Sequence, residues 1–301
     1  MSEDGKIIYF DIKTADLCIF DSALQKIDEH PDWYSNPHNM GLLPFPMLYS
    51  CLPTDRFPLT EEPTMVFKYM GREGFSSLWD AVQSFQIGLG YSQLFLHGNT
   101  GYGKSHILAA LACLLFRLEM RPVYIPDCRQ MLADPLSYIQ SAMLCSFADA
   151  SSSSHRDKIR SFQNISDALE FCGNLGTTHL YFIIDQINTL EDEPCNADSV
   201  PNSQKGALAI FLRRIPLGHY CITSASANYR TARHMERKQT GEIKMSMMGG
   251  MSKVRNSPLD AMSLDFNPLL FRRRRWNSGG FITRTNCPFS NTSPTRIESK
   301  T

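Results

Sequence analysis

The stretch GNTGYGKS at residues 98–105 decides the fold class, because it matches the phosphate-binding pattern G-x-x-x-x-G-K-[ST] at every fixed position. It follows a short apolar run, LFLH at residues 94–97. From Lys104 onward, apolar residues recur at positions 107, 108, 111, 114, 115 and 118, which is the spacing of an amphipathic helix. We therefore predict a strand, a nucleotide-binding loop and an amphipathic helix in direct succession.

The residue types in this loop suit a triphosphate with Mg²⁺. Glycine allows backbone N–H groups to converge on phosphate oxygens, and the positive end of the following helix points at the same oxygens. Lys104 is expected to reach the β- and γ-phosphates, and the Ser105 hydroxyl to ligate Mg²⁺. The candidate nucleotide-binding residues are Gly98, Asn99, Thr100, Gly101, Tyr102, Gly103, Lys104, Ser105 and His106. The absence of an N-K-x-D guanine motif favours ATP as the cofactor.

A second acidic element follows the apolar run LYFII at residues 180–184, where Asp185 ends a predicted central strand. Asp185 is the predicted partner of Ser105 at the metal, and Asp127, after a strand at 122–125, is the alternative. Gln186 follows where many ATPases have a glutamate base. We predict that Gln186 and Asn188 act with Lys104 in catalysis and that hydrolysis is slow, since losing a base costs about 10²–10⁴-fold.

Strands and helices alternate from residue 86 to about 250, which predicts a three-layer α/β sheet with mostly parallel strands. We expect helices at 135–148, 166–172 and 206–215, a loop at 151–154 and a strand at 220–223. In P-loop ATPases with an additional central strand, the tip of that strand carries a polar sensor. Here Ser224, Ser226 and Asn228 are the candidates, and solvated strand-end residues are the equally weighted alternative.

Composition divides the chain into three predicted parts. Residues 1–85 form an irregular lead-in that ends in a helix near 75–85, residues 86–253 form the NTPase domain, and residues 254–301 form a disordered tail. Within the domain, the acidic and polar stretch 191–203 is predicted to be a mobile loop.

Four segments resemble the NTPase module of Crinkler proteins, which is similar to that of retrotransposon hot spot proteins: GNTGYGKSH at 98–106, VYIPDCR at 123–129, IIDQIN at 183–188 and SASAN at 224–228. FPMLYSC at 45–51 and YMGREGF at 69–75 resemble the lead-in of fungal members. The resemblance implies an additional-strand P-loop ATPase in which Asp-Gln replaces Asp-Glu. It ends near GGMS at 249–252, so a truncated member is expected.

Charge and cysteine usage set the remaining expectations. Thirty basic residues balance thirty acidic residues, so no global field attracts nucleic acid or membrane. Nine scattered cysteines without a C-x-x-C pair indicate reduced thiols, with Cys113, Cys145 and Cys172 in a core. The expected location is intracellular, in cytoplasm or nucleus, while a secreted effector role stays open.

Two other function classes compete with a slow ATPase. One is a non-hydrolysing, nucleotide-gated interaction protein or degenerate ATPase fragment with an unknown macromolecular partner. The other is a nucleic-acid enzyme that uses the basic run Arg272–Arg275, for which a solvated tail is the simpler interpretation. No membrane association is expected, because the longest apolar run, 107–116, is too short to span a bilayer.

Overall fold

The computed structural model describes residues 12–48, 53, 55–57, 65–87, 92–98, 101–190, 202–225 and 242–247. These ranges lie within one compact unit, Met1–Val254, and all statements below refer to them. The predicted disordered tail at 254–301 lies outside the described residues, as does most of the predicted mobile loop at 191–203.

Five strands form the central sheet, and every pair among them is parallel. The strands are β3 (Gln93–Gly98), β4 (Arg121–Ile125), β5 (Leu180–Ile184), β6 (Tyr220–Ser224) and β7 (Glu242–Met247). Their spatial order is β4-β5-β6-β3-β7, so β6 separates β3 from β5. This is the order of an additional-strand P-loop NTPase, and the predicted fold class is confirmed.

The helices of this sheet segment connect successive strands. They are α4 (Lys104–Arg117), α5 (Cys128–Ala133), α6 (Pro135–Ser146), α7 (Ser153–Arg160), α8 (Ile165–Gly173) and α9 (Asn202–Arg214). Crossovers between parallel strands are almost always right-handed. The connection from β3 out to β4 and the connections that return toward the centre therefore cover opposite faces of the sheet.

Two local predictions in this segment need comment. The helix at 135–148 is confirmed as α6, and Asp134 caps it by accepting a hydrogen bond from the Ser137 amide at 3.2 Å. The predicted loop at 151–154 is wrong, because a short 3-10 helix (Ala150–Ser152) leads directly into α7. The helix forms there because Ile159 is buried and the Arg156 guanidinium donates to the Phe147 carbonyl at 2.9 Å.

The lead-in is more regular than predicted. It contains α1 (Thr14–Leu24), α2 (Pro31–Ser35), β1 (Met40–Pro44), β2 (Val66–Met70) and α3 (Gly74–Gln83). Strands β1 and β2 pair antiparallel in a separate two-stranded sheet. The helix predicted near 75–85 is confirmed as α3, with Leu78 and Val82 in the core.

Helix α4 is buried on all sides rather than amphipathic, so that part of the sequence interpretation is wrong. Every residue from Ile107 to Leu115 is buried. The helix packs on β3 and β4, and it also contacts α1, α3 and β1 of the lead-in. Specific contacts include the Cys113 thiol donating to the Pro44 carbonyl at 3.2 Å and an edge-to-face pair between Phe20 and Phe116. The lead-in therefore completes the core around the helix that follows the loop.

Candidate functional site

The loop between β3 and α4 adopts a backbone that requires glycine. Gly101 and Gly103 have φ angles of +87° and +76°, a region that a Cβ disfavours, and Gly103 is the N-cap of α4. Asn99 and Thr100 lie outside the described residues. Gly98 has φ +150°, and a Cβ there would lie 2.4 Å from the Met247 carbonyl oxygen of β7. Close packing against β7 therefore requires glycine at the first position of the loop.

The Lys104 ammonium lies inside the loop. Its Nζ donates to the Gly98 carbonyl oxygen at 2.7 Å, and the residue is buried. Burial lowers the pKa of Lys104, while the negative charge of Asp185 acts in the opposite direction. A buried ammonium at the N-terminus of a helix is suited to bind an anionic ligand.

Asp185, at the end of β5, meets Ser105 from the first turn of α4. The Ser105 hydroxyl donates to Asp185 Oδ2 at 2.5 Å, although the two residues are 80 positions apart. The other carboxylate oxygen, Oδ1, accepts from the Ser224 hydroxyl at the tip of β6 and from the Gln186 amide at 2.9 Å. The ends of β5 and β6 and the first turn of α4 therefore orient one buried carboxylate.

Arg56 of the lead-in binds the same carboxylate. Its guanidinium donates to Asp185 Oδ2 at 3.1 Å, to Asp127 Oδ2 at 2.7 Å and to the Pro126 carbonyl at 2.6 Å. Burial by itself lowers the pKa of Arg56, but the charges of Asp185 and Asp127 outweigh it, so the pKa lies above its ordinary value. Arg56 is therefore a fully charged, partly buried counter-cation of both acids.

The oxygen donors at this point fit Mg²⁺. A buried carboxylate and an adjacent serine hydroxyl are ligands of the type that Mg²⁺ accepts, usually with several waters and phosphate oxygens. The Arg56 contact shows that positive charge is accommodated beside Asp185. Asp127, the alternative metal ligand, caps α5 by accepting from the Arg129 amide at 2.8 Å and pairs with Arg56. Of the two acids, Asp185 is the one that contacts the Ser105 hydroxyl.

Gln186 and Asn188 follow Asp185 in an unusual backbone. Gln186 has φ +60°, which is rare for a residue with a Cβ and marks a strained position. Its side-chain oxygen Oε1 is buried and has no hydrogen-bond partner among the described residues. Asn188 is buried in the 3-10 turn that follows, Ile187–Leu190. An unpaired buried oxygen held in a strained turn is typical of a functional site.

His106 packs toward the lead-in. Its ring lies 4.7 Å from the ring of Phe57 and 6.1 Å from the ring of Phe67. Burial lowers the pKa of His106 to about 4, and the nearby charges of Arg72 and Arg56 act in the same direction. The imidazole is therefore neutral at physiological pH and packs between α4 and the lead-in, while its contact with a nucleotide stays a prediction.

Among the three sensor candidates, Ser224 lies at the site and contacts Asp185, whereas Ser226 and Asn228 lie outside the described residues.

Two arginines of the lead-in, Arg56 and Arg72, are the site residues that sequence reasoning misses. Arg72 follows β2 and donates to the Tyr102 carbonyl at 3.4 Å, and its guanidinium lies so close to Gly103 that a Cβ there would clash. No spacing rule connects Arg56 with Asp185, 129 positions later. The one available signal is the YMGREGF segment, which contains Arg72 and belongs to the stated resemblance.

The buried thiols agree with the sequence analysis. Cys113, Cys145 and Cys172 are free and buried, as predicted, and burial raises the pKa of each. No helix in the described part of the chain combines the length and hydropathy needed to cross a membrane.

Comparisons with known proteins add little at the level of sequence. No protein-family model matches the chain, and no curated protein matches it. Among solved structures, the chain is similar to the ORC2 protein of Aeropyrum pernix, described as ADPNP–ADP complexes, with 16% identity and a TM-score of 0.34. The match covers 57% of this chain and 44% of that protein, so the chain spans less than half of its length.

Proposed function

We propose that the chain binds ATP with Mg²⁺ through residues 98–105 and hydrolyses it slowly, as the NTPase module of a Crinkler-like protein. The observation that carries this proposal is the 2.5 Å contact between the Ser105 hydroxyl and Asp185 Oδ2. A loop serine and a strand-end aspartate are the two protein groups that hold Mg²⁺ in P-loop NTPases. A glycine-rich turn without a ligand would have no need to bring them together.

The roles of the residues follow from their positions. Lys104 and the loop amides hold the phosphates, and Ser105 with Asp185 holds the metal. Bound Mg²⁺ supplies neutralisation of charge on the β- and γ-phosphate oxygens. Gln186 is proposed to orient the attacking water with its side-chain amide, with Asn188 beside it, but an amide cannot accept a proton as a base does. Turnover is therefore slow.

The position of the motifs supports the Crinkler-like assignment within this proposal. The segments VYIPDCR and IIDQIN begin in the last residues of β4 and β5, which pair in parallel from Arg121↔Leu180 to Ile125↔Ile184. Their distinctive residues, at 126–129 and 185–188, therefore follow adjacent strands at the same edge of the sheet. ATP is favoured over GTP because the guanine motif is absent.

Equilibrium binding and single-turnover hydrolysis test the proposal directly. We expect purified protein to bind ATP in a Mg²⁺-dependent manner and to hydrolyse it at a slow rate. Lys104→Ala should abolish turnover, and Asp185→Ala should abolish Mg²⁺-dependent binding, because the metal loses its buried ligand. The matched control is Asp157→Asn, an exposed carboxylate on α7, which should leave both unchanged. Unchanged Mg²⁺-dependent binding by Asp185→Ala would transfer the metal to Asp127.

A non-hydrolysing, nucleotide-gated interaction protein is the second candidate. Two observations favour it: Gln186 stands where many ATPases have a glutamate base, and Arg56 contacts Asp185, the proposed metal ligand. Tight ATP binding without any single-turnover product would support this candidate against the ATPase. The binding should be lost in Lys104→Ala, which would show that it occurs at the phosphate loop. The nucleic-acid hypothesis rests on Arg272–Arg275, which lie outside the described residues, and requires salt-dependent DNA binding that is lost on deleting 256–301.

A further inference from the structure

Arg56 reaches the metal site from outside the sheet segment. Residues 55–57 lie between β1 and β2, and Arg56 Nη1 shares Asp185 Oδ2 with the Ser105 hydroxyl. That oxygen is the one the proposed function assigns to Mg²⁺. The Arg56 guanidinium and a bound Mg²⁺ would therefore compete for the same oxygen of Asp185.

The backbone of Arg56 is fixed by its neighbour. Phe57 is fully buried, and its ring packs against those of Phe45, Phe67 and His106 at 5.1, 5.4 and 4.7 Å. The amides of Arg56 and Phe57 both donate to the Pro53 carbonyl at 2.9 Å. Movement of the guanidinium away from Asp185 therefore requires rotation of the Arg56 side chain rather than displacement of this turn.

Three contacts remain to Arg56 when the one to Asp185 is broken. The guanidinium also donates to Asp127 Oδ2 at 2.7 Å and to the Pro126 carbonyl at 2.6 Å, both shorter than its contact with Asp185 at 3.1 Å. Its Nε donates to Oδ1 of the exposed Asp55 at 3.3 Å. An arginine fork can keep such contacts while giving up another. The Asp185 contact is the one that exchange with a metal would break.

We propose that Arg56 is a positioning residue that occupies Asp185 as an internal counter-cation and that Mg²⁺ displaces it from this carboxylate while Asp127 retains it. This inference rests on the proposed function. It adds that the lead-in sets the metal affinity of the site. In the metal-free protein, Arg56 neutralises the two buried acids Asp127 and Asp185, which matters because an unpaired buried carboxylate is costly. It also weakens Mg²⁺ binding, because the metal must break an ion pair.

The test uses the full chain, and its probes are Mg²⁺ alone, Mg²⁺ with ADP, and Mg²⁺ with ATP. Binding is followed by calorimetry, and thermal unfolding is followed with and without Mg²⁺. Arg56→Gln should bind Mg²⁺ about tenfold more tightly than the unchanged protein, since one charge-assisted contact no longer competes. Its melting temperature without Mg²⁺ should fall, and Mg²⁺ should raise it by more than it raises that of the unchanged protein.

Control variants separate this effect from a structural role. Arg160→Gln removes a partly exposed arginine that bonds the Ile12 carbonyl on the lead-in, and it should leave Mg²⁺ affinity unchanged. Arg56→Lys keeps the charge but loses the fork, and it should tighten Mg²⁺ binding by a smaller factor. If Arg56→Gln does not fold, Arg56→Lys carries the test.

The outcomes are distinguishable. Mg²⁺ affinity that stays equal or falls in folded Arg56→Gln or Arg56→Lys would overturn the inference while leaving the proposed function intact. A fall in ATP affinity with unchanged ADP affinity would also overturn it, because Arg56 would then be a phosphate ligand. Failure of the unchanged protein to bind any nucleotide would instead reject the proposed function.

Discussion

The sheet segment from β3 to β7 and the lead-in before it contribute to one site in different ways. The sheet segment supplies the loop, Lys104, Ser105 and Asp185 from the carboxyl ends of parallel strands, where ligands of α/β folds usually bind. The lead-in supplies Arg56 and Arg72 from turns outside its strands, and its α1, α3 and β1 cover α4. The first region therefore defines which chemistry occurs, and the second adjusts the charge around it.

The largest expected effect comes from the contact that joins the two regions. Phe57→Ala removes a fully buried ring between the lead-in and α4, and it should lower the free energy of unfolding by about 3–5 kcal/mol. Because Phe57 fixes the backbone of Arg56, Mg²⁺ affinity should change as well. Urea unfolding and calorimetry measure the two effects.

The matched variant for Phe57→Ala lies within the sheet segment. Phe211 of α9 is also fully buried and packs 5.9 Å from the Phe182 ring. Phe211→Ala should lose a similar free energy of unfolding without changing Mg²⁺ affinity in protein that remains folded. Equal effects of the two variants on metal binding would contradict the distinction between the regions.

A smaller effect concerns pH and the same boundary. The pKa of His106 is lowered from 6.5 to about 4, so protonation favours the unfolded chain. The contribution is complete above about pH 6.5 and is lost as pH falls toward 4, at a cost of up to about 3 kcal/mol. The free energy of unfolding in this range should depend less on pH in His106→Gln. Identical pH profiles of the two proteins would show that the fold does not lower the pKa of His106.

The smallest effect lies inside the sheet segment. Ser224→Ala removes the hydroxyl that donates to Asp185 Oδ1, at about 1 kcal/mol of stability, and should weaken Mg²⁺ binding a few-fold as the carboxylate loses orientation. Ser92→Ala removes a comparable serine bond, to the Pro216 carbonyl at 3.0 Å, away from the loop. Ser92→Ala should lower the free energy of unfolding by a similar amount and leave Mg²⁺ affinity unaltered. If Ser92→Ala also weakens Mg²⁺ binding, the effect of Ser224→Ala on affinity would reflect a general loss of stability.

The sequence predicts the sheet segment well because its information is local. The glycine pattern, the run LYFII and the alternation of strands with helices each lie within a few residues, and strand pairing then brings Ser105, Asp185 and Ser224 together. The sequence alone identifies each of these three as a candidate site residue.

The lead-in is poorly predicted because its contributions depend on long-range contacts. Arg56 is one of many arginines until Asp127 and Asp185 lie beside it, 71 and 129 positions away. Likewise, α4 has the pattern of a half-exposed helix, and a second apolar layer that covers it cannot be deduced from its own spacing. The loop predicted at 151–154 failed because a serine run disfavours a helix locally, whereas burial of Ile159 stabilises one.

Gly98 has a consequence for how the protein tolerates variation. A methyl group at this position would collide with the Met247 main chain, whatever occupies the phosphate loop. Alanine there would force β7 away from β3. A change at the first residue of the loop therefore requires a change in the position of the edge strand. In a saturation library, we expect codon 98 to be intolerant even under selection for folding alone.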